Sequence, residues 1–326
     1  MIHTQRLFIL FFLSLFVTSP SYTAEVDQYT ANDNELYDAL DALNHRANLY
    51  LQRAITRSNL HDLNCNEESL YKELQYYFAN HSKGQFSKDL LYDSRIPKIV
   101  IPLESSLYNE WSVWNGYLLG RDKAKDSPLA LGPLVKIGNR NIGTDKFEHL
   151  FGMGFTYFEK YYQKKKKLTS VLKYGIILEK TILGGNVFAT GVFSYADLVA
   201  NFNGMRFWNH MLQKNDDIFG AQYNVGPFVS CFKGKWVKNK DIDFSEYFDD
   251  GVDESINCSK FATKSAVRKV RKYTKSYEQK CLKKDDFLPS LEKYNTIIPG
   301  NRKGRPLSHY LLNREGHEKL SYFNEF

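Results

Sequence analysis

TDKFEHLFGMGFTYFEKYYQ, residues 144–163, is the stretch on which the fold turns. Its apolar residues recur at helical spacing. Asp145 and His149, four apart, share one face, and Gly152 continues it. Two stretches of similar design follow. In LTSVLKYGIILEKTIL (168–183), Glu179 lies four after Gly175, among Ile176, Ile177, Leu178, Ile182 and Leu183. In SYADLVANFNGMRFWNHMLQ (194–213), Asp197, Asn201 and Gly204 share a face, with Trp208 beyond. The spacing predicts three helices over roughly 144–163, 168–183 and 194–213. Glycine lets backbones approach closely. Three glycine-flanked stripes therefore predict a compact polar cluster of Asp145, His149, Glu179, Asp197 and Asn201, inside a core of three closely packed helices.

Such a cluster holds what two chemistries need. A histidine beside carboxylates can serve as a general base with an oriented tautomer. Two carboxylates with an imidazole and an amide oxygen can hold a divalent metal. Neither spacing is a specific motif, and it names no cofactor. The structural alternative is as concrete. Asp145-x-x-Glu148 and Ser194-x-x-Asp197 read as capping boxes, and both aspartates fall in first helical turns, where the macrodipole favours them. His149, Glu179 and Asn201 sit deeper and escape that account, but they fit a buried hydrogen-bonded network equally well.

The pattern Asp145-Lys146-x-x-His149, then Glu179, then Ser194-x-x-Asp197-x-x-x-Asn201-x-x-Gly204 resembles the YfiM-like family of small bacterial envelope lipoproteins. More distantly it is similar to the VanZ-like membrane proteins. The resemblance covers about 60 of the 326 residues. It implies a helical envelope protein and assigns no activity. The chain departs from the family in lacking a lipid-anchor cysteine near its start and in carrying long regions on both sides.

Outward from the centre, residues 32–57 place Leu36, Leu40, Leu43, Ala47, Leu51 and Ile55 at helical spacing, with Asn32 or Asp33 as cap. Residues 66–78 read as a second helix that Gly84 closes off. Lys98–Leu103 reads as extended, and 126–143, with two prolines and three glycines, as loop. Tyr108, Trp111, Trp114 and Tyr117 suit either a core or a sugar-stacking cleft. The stripe Phe261, Ala266, Val270, Tyr273, Tyr277 predicts one helix from about Ser259 to Cys281, and the tail 288–326 reads as irregular. The acidic run 249–254 lacks calcium-loop spacing and is assigned no role. The expected fold is mostly α: an irregular helical bundle with few or no strands. It divides into 1–24 (leader), 25–97 (N-terminal helical segment), 98–230 (central core with the polar cluster) and 231–326 (basic helix and irregular tail).

Composition sets the class. A chain of 326 residues with 43% hydrophobic and 25% charged content is ample for a core, and excludes collagenous, disordered and disulfide-dense miniature proteins. Arg6 followed by the apolar run Leu7–Val17 and small residues at 18–21 reads as a secretory signal, too short to span a bilayer. Val171–Phe193, the most apolar later stretch, carries Lys173, Glu179 and Lys180 and reads as buried core. The expectation is an exported protein of the periplasm or cell envelope with no transmembrane segment. The net charge of +7 concentrates at 260–284, where ten Lys/Arg face Glu278 alone. Arg268, Lys269, Arg271 and Lys272 could meet an anionic lipid or envelope component, while export argues against nucleic acid. The same charges also suit a solvated helix face. An even set of four cysteines in an oxidising compartment predicts two disulfides. An unbroken helix over 259–281 would hold Cys258 and Cys281 roughly 35 Å apart, far beyond disulfide reach. That favours Cys231–Cys258 with Cys65–Cys281, and leaves Cys65–Cys258 with Cys231–Cys281 as the other option.

Overall fold

The computed structural model describes residues 25–33, 36–61, 64–80, 82–121, 131–274, 281, 283–300 and 304–316. The expected leader at 1–24 and Tyr277 lie outside them. The fold is mostly α, about half helical with 9% in strands.

The first long helix, α1, is Leu40–His61, and buries Leu43, Ala47, Leu51, Ala54 and Ile55 along one stripe. It starts later than its periodicity predicts. Asp38 pairs with Lys136, and the Ala39 amide donates to the Lys136 carbonyl, so the chain is held extended up to that point. Asp38 Oδ1 then caps the Leu40 amide at 2.8 Å. Asn32 and Asp33 instead belong to a separate 3-10 turn. Helix α2, Glu67–Tyr77, lies within the predicted 66–78, and Asn66 caps it. Gly84 does not end helical structure: it is the N-cap of α3, Gln85–Tyr92, which buries Phe86 and Leu90.

Part of the expected loop at 126–143 is a hairpin. β1 (Leu134–Ile137) and β2 (Arg140–Gly143) pair antiparallel around a two-residue turn opened by Gly138 at φ 62°. β2 runs directly into α4, residues 144–163, followed by α5 over 168–183 and α6, Tyr195–Leu212. These three limits match the predicted ones within about one residue. Two of these helices carry π-helical turns, at His149–Met153 and Glu159–Gln163 in α4 and at Glu179–Leu183 in α5. Each π turn adds a residue to the helical repeat. The Gly154 amide therefore reaches the His149 carbonyl, and Gly154, not Gly152, faces α6. A Cβ on Gly154 would lie 2.5 Å from Gly204 Cα, and one on Gly204 would lie 2.0 Å from the Leu150 carbonyl oxygen; a Cβ on Gly152 would meet nothing within 4 Å. Helix α6 is buried on every side from Ala196 to Met211.

β3 (Val192–Phe193) leads into α6, and β4 (Val229–Phe232) with β5 (Lys235–Lys238) forms a second hairpin. β6 (Lys260–Phe261) pairs with β3. Helix α7, Lys264–Thr274, is shorter than expected, because its first predicted residues serve as this strand. The chain then comes back, and the Cys281 amide donates to the Ser255 carbonyl at 2.8 Å. The disulfides follow that path and overturn the expected pairing. They are Cys258–Cys281, with Cα atoms 5.0 Å apart, and Cys65–Cys231, at 5.8 Å. The described part of the C-terminal tail also differs from expectation. It carries the short helices α8 (Pro289–Glu292) and α9 (Ser308–Leu311), and buries Leu291, Tyr294, Leu307, Leu311 and Leu312. The main hydrophobic cluster extends from Ala39 to Leu312, with Phe78, Phe86, Phe147, Phe151, Phe207 and Phe244 in mutual ring contact at its heart.

Among the described residues no helix is long and apolar enough to cross a membrane. The segment 171–193 is not wholly core, however. α5 buries Val171, Leu172 and Gly175 but leaves Ile177 and Ile182 about half exposed, and Phe188 beyond it is exposed. Tyr108 and Trp111 are core, whereas Trp114 and Tyr117 reach solvent.

Candidate functional site

The five residues singled out in sequence meet inside the protein. His149 Nδ1 lies 2.9 Å from Asn201 Oδ1, and His149 Nε2 lies 3.0 Å from Asp197 Oδ2. Ligand atoms of His149, Glu179 and Asp197 are all within 4.8 Å of one another. The elements explain the convergence. Asp145 and His149 stand on successive turns of α4, and Glu179 begins the π turn of α5. Asp197 is fixed in the first turn of α6 by Ser194, whose Oγ caps the Asp197 amide at 3.1 Å. That half of the capping expectation holds. Asp145 acts differently, since Gly143 is the N-cap of α4 and makes no side-chain cap. The carboxylate turns instead to Lys146.

Lys146, which the sequence pattern includes but the expected cluster of five leaves out, is the central residue. Fully buried, its Nζ lies 2.5 Å from Asp145 Oδ2, 2.7 Å from Asp197 Oδ1 and 2.7 Å from Glu254 Oε1. Glu254, from the unassigned acidic run, also accepts from Ser194 Oγ at 2.7 Å and Ser259 Oγ at 3.0 Å. Glu25 closes the far edge, accepting from Thr190 Oγ1 at 3.0 Å. A signal for Lys146 existed. A cation in the first turn of a helix opposes the macrodipole, so its presence there implies compensating carboxylates.

Burial and charge decide the protonation states. Burial pushes Glu179 up to about 8, and Asp197 adds to the effect. Burial likewise pushes Asp145 up to about 7, against the pull of Lys146. Glu25 is held well above the carboxylate range by burial and by Glu254. Burial opposes the charge on His149, but neighbouring Asp197 outweighs it and carries the ring up to about 9. Asp197 is the exception among the carboxylates: burial would raise it, yet His149 and Lys146 hold it well below its ordinary range. Several buried atoms still lack a hydrogen-bond partner, among them Glu179 Oε2, Asp145 Oδ1 and Asn201 Nδ2.

The cluster is sealed. Asp145, Lys146, His149, Glu179, Asp197, Asn201 and Glu254 are each at most 6% exposed. None of them lines the surface cavities at Tyr71–Tyr162–Asn209, at Tyr223–Lys293 or at Tyr161–Asp216. A second buried network occupies another part of α6. Arg206 Nε donates to Asp217 Oδ2 at 2.8 Å, and His210 bridges Asp217 and Tyr247 Oη at 3.0 and 2.8 Å.

On the surface, the basic residues of α7 are partly engaged. Lys269 donates to the Glu110 carbonyl and to Asn115 Oδ1, and Lys272 pairs with Glu110 at 3.2 Å. Arg268 and Arg271 are exposed. No family model, curated protein or solved structure matches the chain.

Proposed function

We propose that this is an exported, non-catalytic protein of the cell envelope, periplasmic in a Gram-negative source. It is an irregular bundle ordered about the three helices α4, α5 and α6, and its polar centre fixes how they pack. The observation that carries this reading is the sealing of the centre. A catalytic histidine must touch its substrate, and His149 is 1% exposed. The two disulfides and the resemblance of Asp145-Lys146-x-x-His149, Glu179 and Ser194-x-x-Asp197 to the YfiM-like envelope proteins support the location. The test is a set of single replacements, Ser194→Ala, Asp197→Asn and His149→Ala, followed by thermal unfolding. Each should melt earlier. Unchanged melting in all three would remove the architectural role.

A specific surface observation favours a second role, peripheral attachment to an anionic lipid surface. Two loops zipped by Tyr117 N–Val187 O and Leu118 N–Ala189 O expose Trp114 and Phe188 at 80 and 82%. They adjoin α7 through the Lys269 contacts to Glu110 and Asn115, so aromatic tips and basic side chains share one region. Aromatics at headgroup depth beside cations are the chemistry of interfacial binding. Sedimentation with phosphatidylglycerol vesicles should capture the protein at low salt, and Trp114→Ala with Phe188→Ala should release it. Equal capture of that double variant would remove the reading.

A further inference from the structure

We propose that His149, Glu179 and Asp197 bind one divalent transition-metal ion, of which Zn²⁺ is the type, as a structural site joining α4, α5 and α6. The inference builds on the architectural reading of the polar centre and adds a ligand to it.

Two triads of ligating side chains meet at Asp197: Asp145, Asp197 and Glu254, and His149, Glu179 and Asp197. They differ in what lies between them. The ammonium of Lys146 sits 2.5–2.7 Å from all three members of the first, and so fills the position a cation would take. The second triad has no such ammonium within it. Glu179 Oε2 instead accepts from nothing, and Glu179 lies close to His149 Nε2 and Asp197 Oδ2, which face each other at 3.0 Å. The Glu179 and His149 side chains are at least 99% buried. A buried polar atom without a partner is costly, and a metal is one of the few groups that can satisfy an imidazole nitrogen and two carboxylates together.

The outer contacts are those of a metal site. Asn201 Oδ1 accepts from His149 Nδ1 at 2.9 Å, which sets the tautomer that leaves Nε2 free to ligate. Glu179 Oε1 accepts from the Ser194 amide at 3.3 Å, and Oε2 is left without a partner. His149 and Glu179 each open a π turn, a local rearrangement that recurs at functional sites. The donor set, one nitrogen and two oxygens, is one that Zn²⁺ accepts. Because the triad is sealed, the ion would enter as the chain folds, which couples binding to stability.

The experiment uses the full chain with both disulfides formed, unfolded and refolded with Zn²⁺ or Co²⁺, then dialysed. Elemental analysis should find about one equivalent of metal per chain, and the Co²⁺ form should show the visible bands of low coordination number. Glu179→Gln keeps the shape of the side chain and should lose the metal. Asn201→Ala, which disturbs only the positioning residue, should weaken Zn²⁺ roughly 10–100-fold and shift the Co²⁺ bands. A folded wild-type chain without metal, or a Glu179→Gln chain that retains it, overturns the site. If the metal is absent while Asp197→Asn still melts early, this inference fails and the architectural reading stands. If metal is bound yet the cluster variants melt as wild type does, the architectural reading fails instead.

Discussion

Lys146 shows at the residue scale how a buried charge is sustained. Its ammonium replaces water with three carboxylates, and removing it leaves Asp145, Asp197 and Glu254 facing one another in a sealed space. Breaking a buried ion pair from one side costs about 3–5 kcal/mol. Lys146→Met should therefore lower unfolding stability by that order at neutral pH in denaturant titration. Lys146→Met with Glu254→Leu should recover part of the loss, since one of the uncompensated charges leaves with it. His210 gives a pH prediction. Burial holds its pKa below the ordinary value, against Asp217, while Arg206 adds to the lowering; Glu246 and Tyr247 are its other polar neighbours. The folded chain thus refuses a proton at His210 that the unfolded chain accepts, so the His210 contribution to stability falls as pH drops below about 6.5, while the raised carboxyls Asp145 and Glu179 act in the opposite sense. Asp217 has a depressed pKa, because His210 and Arg206 outweigh its burial. Its contribution is kept above its unfolded pKa and lost at still lower pH, so both groups favour acid unfolding. The unfolding stability of the wild type minus that of His210→Gln isolates the His210 part, and this difference should fall from pH 7 to pH 5.

At the scale of elements, the π turns decide which glycine does what. Gly154 and Gly204 let α4 and α6 touch backbone to backbone, and neither has room for a Cβ. Gly204→Ala should cost about 1–3 kcal/mol by overpacking. Gly152→Ala should stabilise by up to about 1 kcal/mol, because a methyl there meets nothing and alanine favours helix. Paired thermal melts check both signs. Regular helical counting from Asp145 and His149, four and then three residues on, points to Gly152. The extra residue per turn at His149–Met153 transfers the role to Gly154. That shift is invisible to a periodicity argument, because π turns arise where side chains settle against neighbours.

For the whole molecule, the two disulfides work over different spans. Cys65–Cys231 ties the N-terminus of α2 to β4 across 166 residues, whereas Cys258–Cys281 closes a loop around α7. On chain-entropy grounds a loop of that length is worth about 5 kcal/mol. Cys65→Ser with Cys231→Ser should therefore lose up to that amount in denaturant titration. Non-reducing peptide maps should return Cys65–Cys231 and Cys258–Cys281, and neither of the pairings expected from an unbroken C-terminal helix.

What the sequence alone determined is local or periodic. It set the limits of α4, α5 and α6 and the cap at Ser194, and put polar groups on helix faces that do meet. Those follow from hydrogen bonds between residues a few positions apart and from faces repeating every three to four. Tertiary structure decided the rest. It chose Glu254 and Glu25 as partners of the cluster, set Lys146 at its centre and bent 134–143 into a hairpin. It drew the described tail into the core and shortened α7 by taking Lys260–Phe261 into a strand with β3. Apart from the hairpin, whose paired residues are at most nine apart, these features join groups dozens to hundreds of residues apart. Such pairings are selected by how elements dock and by which buried charges must be neutralised, and a local pattern carries neither.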